Sequence, residues 1–169
     1  PRRLEAEAVR DSILAVSGQL DLRMFGSGTL DPRHKRRSIY FTVKRSLLNP
    51  MLNLYDAPET LTSTGRRNST TTAPQALLLI NSPYIRELAQ AFAARISQQP
   101  EDDLSTIVTN AFRLALNREP SKGELRAAIQ FIKAQQKDYE QSNSSKTKLA
   151  ALADFAQAMF SLNEFIYVD

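Results

Sequence analysis

Hydrophobic residues recur at helical spacing along most of this chain, beginning near its N terminus. Between Leu4 and Leu20, the apolar residues Val9, Ile13 and Val16 fall at intervals of three and four, with charged residues on the other positions of the helical wheel. This spacing places one apolar stripe on a single helix face. The pattern predicts an amphipathic helix that buries this stripe.

Four further apolar stripes predict a series of helices in the second half of the chain. A short apolar segment at Pro74–Asn81 precedes them and is also predicted to be helical. The stripes are Ile85, Leu88, Phe92 and Ile96; Leu104, Ile107, Val108, Ala111 and Leu114; Leu125, Ala128, Ile129 and Ile132; and Leu149, Leu152, Ala156 and Met159.

Local boundary signals separate these predicted helices. Ser82-Pro83 supplies an N-cap followed by proline at the first helical position. Pro100 is predicted to stop that helix, and Asp102 or Asp103 to start the next. Asn117-Arg118-Glu119-Pro120 ends it, and Ser121-Lys122-Gly123-Glu124 has the spacing of a capping box. The sequence therefore predicts a helical hairpin joint here, which Arg118 could brace.

One segment of the basic first half has the alternating pattern of a strand. Ile39, Phe41 and Val43 alternate with Tyr40 and Thr42, which predicts a short strand. Since a strand needs a partner for its backbone groups, we expect a minor hairpin with residues 65–70 or with sequence outside this chain. A short helix is predicted to begin at Pro50, within residues 46–56.

Together these elements predict a mainly α fold, an orthogonal or irregular bundle of about six or seven helices with at most a small β-hairpin. We interpret residues 1–169 as a single helical domain. Residues 1–72 form its basic, loop-rich part and residues 73–169 its helical hairpins. The apolar ending 165–168 is expected to pack back onto the bundle. Because the chain begins with Pro1 rather than Met, we interpret it as part of a longer chain.

Composition excludes several classes of protein. The 42% hydrophobic and 24% charged shares are those of an ordinary globular domain. No apolar run approaches the roughly 20 residues of a membrane span. The absence of cysteine excludes disulfides and thiolate metal sites within these residues.

The net charge of +4 belongs to the first half of the chain. Residues 1–72 hold 12 Lys and Arg against 7 Asp and Glu, whereas residues 73–169 hold 10 against 11. This asymmetry favours anionic partners, although it is weaker than the dense basic stripe of a dedicated nucleic-acid binder.

Most candidate chemical motifs have a simpler structural interpretation. His34 is the only histidine, and without an evident triad or metal partner we interpret it as an exposed loop residue rather than a catalytic base. The adjacent acids at 101–103 fit helix capping better than Ca²⁺ or Mg²⁺ coordination. Gly26-Ser27-Gly28 lacks the context of a phosphate loop and predicts a turn. We predict no metal site and assign no catalytic residue.

Two groups of residues are candidates for ligand binding. The basic run 33–37 provides Arg36 and Arg37, with Tyr40 nearby for stacking. The second group is Asp56, Arg66, Arg67 and Asn68, followed by a threonine run, because paired arginines can fork onto carboxylates or phosphates. The structural alternative is that Arg66 or Arg67 clamps Asp56 and fixes an irregular loop.

An ordered series of motifs resembles one protein family. These motifs are Arg10–Asp21, Arg36–Tyr40, Asp56–Pro58, Gly65–Asn68, Pro74–Leu77, Asn81–Pro83, Ala115–Pro120 and Asn163–Asp169. Together they resemble the C-terminal domain of unknown function of the large planctomycete cytochrome-c-associated proteins, which are secreted and multidomain. The resemblance implies a periplasmic or extracellular setting, upstream partner domains and haem in one of those domains. It implies no cofactor in this fragment and transfers no catalytic residue.

Three functional hypotheses follow. The leading one is a noncatalytic interaction or ligand-binding module that docks onto upstream domains or binds an anionic polysaccharide or envelope component. The first alternative is part of a carbohydrate-active hydrolase that uses Asp56, or another carboxylate beside the two arginines, in a site shared with missing upstream sequence. The second is nucleic-acid binding through the basic first half, which requires steep salt dependence.

Overall fold

The computed structural model describes residues 2–44, 47, 49–58, 65–97, 103–141 and 147–168. This part of the chain is mainly helical, as predicted, with eight α-helices, of which six have seven or more residues. In chain order the elements are β1 (Arg2–Arg3), α1 (Ala6–Val16), a 3₁₀-helix (Ser38–Tyr40), α2 (Pro50–Leu54), α3 (Ala73–Asn81), α4 (Pro83–Ile96), α5 (Leu104–Leu116), α6 (Lys122–Gln141), α7 (Thr147–Phe160), α8 (Asn163–Ile166) and β2 (Tyr167–Val168).

The core is built around α4 and α7, which pack against each other more extensively than any other pair of described helices. Phe92 of α4 stacks on Phe160 of α7 with 5.7 Å between ring centroids, and Phe160 contacts Phe165 of α8 at 5.5 Å. The predicted stripe of α4 is buried throughout. The outer ends of two other stripes are not, since Leu114 is 40% exposed and Leu149 is 38% exposed.

Local capping chemistry sets the predicted helix boundaries. Ser82 caps α4 through Ile85, and Asp103 caps α5 by accepting a 2.7 Å hydrogen bond from the backbone N–H of Thr106. Asn117 ends α5 in the left-handed conformation, with φ of 53°.

The predicted capping box begins the next helix. The backbone N–H of Ser121 donates to Glu124 at 2.7 Å, and the backbone N–H of Glu124 donates to the Ser121 hydroxyl at 3.3 Å. The hairpin joint is therefore confirmed. The predicted break at Pro100 and the acids Glu101 and Asp102 lie outside the described residues.

The small sheet joins the two ends of the chain instead of forming a hairpin. Arg2 pairs with Val168 and Arg3 with Tyr167 in antiparallel register. The C-terminal segment thus packs back as predicted, with Phe165 and Ile166 buried.

The predicted strand at Ile39–Val43 is wrong. Its first residues form the 3₁₀-helix, and Ile39 and Val43 are 74% and 76% exposed. The carboxylate of Asp11 accepts hydrogen bonds from the backbone N–H of Ser38 at 2.8 Å and from its hydroxyl at 2.7 Å. This attachment to α1 favours a turn, and only an isolated bridge to Thr29 remains of the strand.

Among the described residues, no helix combines the length and the apolarity that crossing a bilayer requires.

Candidate functional site

Asp56 is held in place by Arg3 and Thr70. An Arg3 guanidinium nitrogen lies 2.7 Å from the Asp56 carboxylate, which also accepts a 2.7 Å hydrogen bond from the backbone N–H of Thr70 and a 2.9 Å bond from its hydroxyl. Burial raises the pKa of Asp56, but the hydrogen bonds from Thr70 and Arg3 outweigh it and hold that pKa below its usual value. The Asp56 carboxylate is therefore ionised, and Arg3 and Thr70 occupy its hydrogen-bonding positions.

The clamp on Asp56 differs from the predicted one. We expected Arg66 or Arg67 to supply the cation, whereas it comes from Arg3, 53 residues earlier in the chain. Arg3 is buried, and it also donates a 2.6 Å hydrogen bond to the backbone carbonyl of Thr70. The structural alternative thus holds for Asp56, with a partner that local sequence does not indicate.

Arg67 ties the arginine loop to α1. Its guanidinium donates to both carboxylate oxygens of Glu7, at 2.7 and 3.0 Å, and lies 3.4 Å from Glu5. Burial raises the pKa of Glu7, but the hydrogen bond and the positive charge of Arg67 outweigh it and lower that pKa overall. This forked pair fixes residues 66–68 against the start of the helix.

Arg66 and Asn68 are exposed on either side of Arg67. Within the described part of the chain, neither side chain makes a hydrogen bond or an ion pair. Both line a polar cavity of about 630 Å³, together with residues 2–6 and Tyr167. The charged residues around this polar cavity are Arg2, Arg3, Arg66, Arg67, Glu5 and Asp56, a formal excess of two positive charges.

A second, mainly apolar cavity of about 580 Å³ lies on the other side of Arg67, which lines both. We call it the apolar groove. It is lined by Leu30, Phe41, Val43, Leu47, Leu52, Ala57 and three prolines, with Glu7, Lys44 and two asparagines as further lining residues. Sequence reasoning missed this groove, although the apolar residues scattered through an otherwise polar loop were a signal.

Comparison with known proteins places the chain in a family. Residues 1–132 match the model of the family described as PSD1, a protein of unknown function (DUF1553). The chain belongs to the PSD1 family. No curated protein and no solved structure gave a significant match. The matched residues end within α6, while α7 and α8 of this PSD1 domain complete the same core.

The predicted pair Arg36 and Tyr40 is used within the PSD1 domain itself. The guanidinium of Arg36 lies 3.5 Å from the centroid of the Tyr40 ring and donates to the backbone carbonyls of Phe25 and Ser27. The Tyr40 hydroxyl accepts a 2.8 Å hydrogen bond from the backbone N–H of Phe25. These two residues therefore shape the loop and line neither cavity, and they lie apart from the group around Arg67. Arg37 is exposed, and its side chain makes no interaction with other described residues.

His34 is half-buried in the PSD1 domain, so the interpretation as an exposed loop residue is wrong. Its ring packs edge-on against Phe41 with centroids 4.3 Å apart, and neither ring nitrogen has a hydrogen-bond partner among the described residues. Burial and the nearby charge of Arg10 lower the pKa of His34. The neutral ring, which lies within the basic run 33–37, therefore packs against Phe41.

Arg118 braces the hairpin joint of the PSD1 domain, as its position suggested. It forms paired hydrogen bonds with Glu124 of α6 and with Glu164 of α8, and its guanidinium lies over the ring of Phe112. The PSD1 residues that the structure describes contain no group of three or more His, Asp or Glu side chains able to hold a metal ion.

Proposed function

We propose that this PSD1 domain is a noncatalytic ligand-binding module that takes an anionic ligand into the polar cavity. The single observation that supports this proposal most strongly is the state of Arg66 and Asn68, which are exposed at the cavity and have no partner among the described residues. A guanidinium can donate two parallel hydrogen bonds to a carboxylate or sulfate group, and the amide of an asparagine can donate to the same groups. The proposed ligand class is an acidic polysaccharide or a comparable envelope component.

The charge distribution favours Arg66 as the main anion contact. Arg3 and Arg67 are held by Asp56 and Glu7 through close ion pairs. Arg2 has only a 3.3 Å contact with Glu5, and its side chain is 80% exposed. Surface pairs of this kind contribute little, so Arg2 can reorient toward a ligand at small cost. The cavity of about 630 Å³ falls within the usual range for small-ligand sites, large enough for a few sugar units.

The hydrolase alternative receives less support from this geometry. Asp56 has a lowered pKa and accepts hydrogen bonds from Arg3 and Thr70, whereas a general acid needs a raised pKa. Glu5, the other acid of the cavity, lies near Arg2 and Arg67. Nucleic-acid binding is the second alternative, and its support is the net positive charge of the first half of the chain.

We further propose a periplasmic or extracellular setting within a larger planctomycete protein that carries haem in an upstream domain. The support for this setting is the ordered series of motifs from Arg10–Asp21 to Asn163–Asp169. Upstream domains of the same chain are the proposed neighbours of this module.

The experiment is a calorimetric titration of the domain with sulfated and carboxylated oligosaccharides, and with neutral dextran as the uncharged control, at about 0.15 M salt. We expect binding of the charged sugars, weakened at least about tenfold by the double substitution Arg66→Gln and Asn68→Ala. Arg37→Gln, which removes an exposed arginine that lines neither cavity, should leave this affinity unchanged.

Three results would contradict the proposal. One is no binding of any charged sugar, and another is an equal loss of affinity in the Arg37 variant. The third is release of reducing ends from the sugars by the wild-type domain, which would favour the hydrolase. Tighter binding of duplex DNA with a steep salt dependence would favour the nucleic-acid alternative.

A further inference from the structure

Exposed apolar side chains are concentrated in one segment of the basic first half. Of the fourteen large apolar side chains that are exposed among the described residues, seven lie between positions 22 and 47. They are Leu22, Met24, Phe25, Leu30, Ile39, Val43 and Leu47. Single exposed apolar residues are ordinary, but a dense group of them marks an interaction surface.

Three of these residues form part of the wall of the apolar groove. Leu30, Val43 and Leu47 are 41%, 76% and 54% exposed, and all three line the groove. Leu52 and Ala57, which pack partly against the domain core, line it as well. The groove thus has an apolar interior and an apolar margin that extends beyond it.

The segment that forms one wall of the groove carries the net positive charge of the chain. Residues 21–44 hold six Lys and Arg against two Asp, a net of +4, which equals the charge of the whole chain because the remaining residues hold 16 of each sign. Asp21 pairs with Arg23 at 2.7 Å, and Asp31 accepts a hydrogen bond from the backbone N–H of Arg33 at 2.9 Å. The side chain of Arg33 pairs with Glu87 of α4, which leaves Lys44 as the exposed, unpaired cation of the groove among the described residues. Lys44 lines the groove, is exposed and makes no side-chain interaction with other described residues.

We propose that the apolar groove docks a segment of another polypeptide in which one large apolar side chain is flanked by acidic residues. The apolar side chain would fill the groove, and the acids would lie against Lys44 and the basic loop. Leu22, Met24 and Phe25 are exposed in the same segment but do not line the groove, so an extended polypeptide is favoured over a small molecule that fills the groove alone.

Hydrogen bonds within the domain already fix the segment that carries this surface before any partner binds. Arg10 and Asp11 of α1 bond the 3₁₀-helix, and Arg36 bonds the carbonyls of the 25–27 turn. A preorganised surface loses little conformational entropy when a partner docks. This proposal is independent of the polar cavity, because Arg66 and Asn68 line only that cavity.

The test uses the full 169-residue chain and three fluorescent peptides of equal length. The first has a leucine and a phenylalanine flanked by acidic residues, the second has lysines in place of the acids, and the third has serines in place of the apolar pair. Fluorescence anisotropy should show binding of the first peptide, at least about tenfold tighter than either other peptide.

Matched variants locate the binding surface. Val43→Asp should weaken binding of the acidic apolar peptide at least about tenfold, because it adds repulsion and removes apolar contact. Leu77→Asp makes the same change from an apolar to an acidic side chain at an exposed position of α3. It should change the affinity less than about twofold, as should Arg66→Gln. Thermal midpoints within about 2 °C of the parent would show that each variant is folded.

Specific results would overturn the proposal. Equal affinity for the lysine peptide would contradict the role of charge in binding. Equal weakening by Val43→Asp and Leu77→Asp would show that the peptide does not bind in the apolar groove. Displacement of the peptide by lower concentrations of an uncharged, non-denaturing alkyl glucoside than of unlabelled peptide would favour a lipophilic ligand instead.

Discussion

Arg10 attaches the basic loop to α1, and replacing it should release that loop without unfolding the core. Its side chain is 1% exposed and donates to the backbone carbonyls of His34 and Arg36 and to the hydroxyl of Ser38. The guanidinium also lies 4.7 Å from the centroid of the Phe41 ring. The perturbation is Arg10→Met, which keeps a long side chain of similar size and removes every donor.

The expected cost follows from these contacts. A hydrogen bond to a charged group contributes about 1.5–3 kcal/mol, and such contributions within one network do not add fully. Removing one member of a buried charged network costs about 3–5 kcal/mol, which is the magnitude we expect here. Asp11 still bonds the 3₁₀-helix, but loses the neighbouring positive charge 3.4 Å away. A whole domain is stable by about 5–15 kcal/mol. A loss of about 3–5 kcal/mol that is confined to the loop contacts should therefore open the loop while the core stays folded.

Hydrogen exchange measured by mass spectrometry separates local opening from global loss of stability. In Arg10→Met we expect faster exchange of the amides of Thr29, Ser38 and Thr42, which are hydrogen-bonded in the parent, and unchanged exchange in α4 and α7. Arg37→Met is the control, since that side chain makes no interaction with other described residues. Unchanged protection of the loop would refute the reasoning, and equal acceleration in α4 and α7 would show that Arg10 supports the whole core.

The remaining predictions concern pH, an ion-pair hub and the length of chain that folds. Because burial and the charge of Arg10 lower the pKa of His34, its contribution to stability is complete above about pH 6.5 and is lost as the pH falls from there through the lower folded-state value. The thermal midpoint of the His34→Gln variant should therefore depend less on pH in this range than the midpoint of the parent. A parent midpoint that does not change with pH in this range would contradict the prediction. Arg118→Met should lower the free energy of unfolding by about 1 kcal/mol, and salt should weaken the parent more than the variant. Hydrogen bonds from Arg118 and Ser121 lower the pKa of Glu124 to about 2. The contribution of Glu124 to the free energy of unfolding is therefore complete above about pH 4.5 and is lost as the pH falls through about 2. Circular dichroism should show that acidification through this range destabilises the Arg118→Met variant much less than the parent. A chain that ends at residue 132 should show no cooperative melting, because α7 supplies the partner of α4, and a sharp transition would contradict this.

The basic loop shows where sequence patterns mislead. The alternation of Ile39, Phe41 and Val43 has the period of a strand, but that period requires one face to be buried. Here Ile39 and Val43 are exposed, and Asp11 holds the backbone at Ser38 in a turn. Periodicity alone cannot distinguish a half-buried strand from a surface segment that exposes these side chains.

The candidate site could be predicted only in part. Its arginine loop was recognised because Arg66, Arg67 and Asn68 are consecutive in the sequence. The pairing of Asp56 was assigned to the wrong arginine, because a carboxylate has many candidate cations and only the fold brings Arg3 to it. Arg36 and Tyr40 were both candidates for contacting a ligand, whereas in the structure they contact each other and hold the loop.

The sequence by itself determined the helices, their caps and the mainly α class of this PSD1 domain. These features depend on residues three or four positions apart, such as Ser121 and Glu124, whose geometry a helix imposes directly. Only the tertiary structure decided that the chain ends pair in a sheet, that Arg10 and Arg3 are buried, and that two cavities lie on either side of Arg67. The physical reason is that these contacts join residues tens of positions apart, and their formation depends on how the helices pack around α4 and α7 rather than on any local preference of the chain.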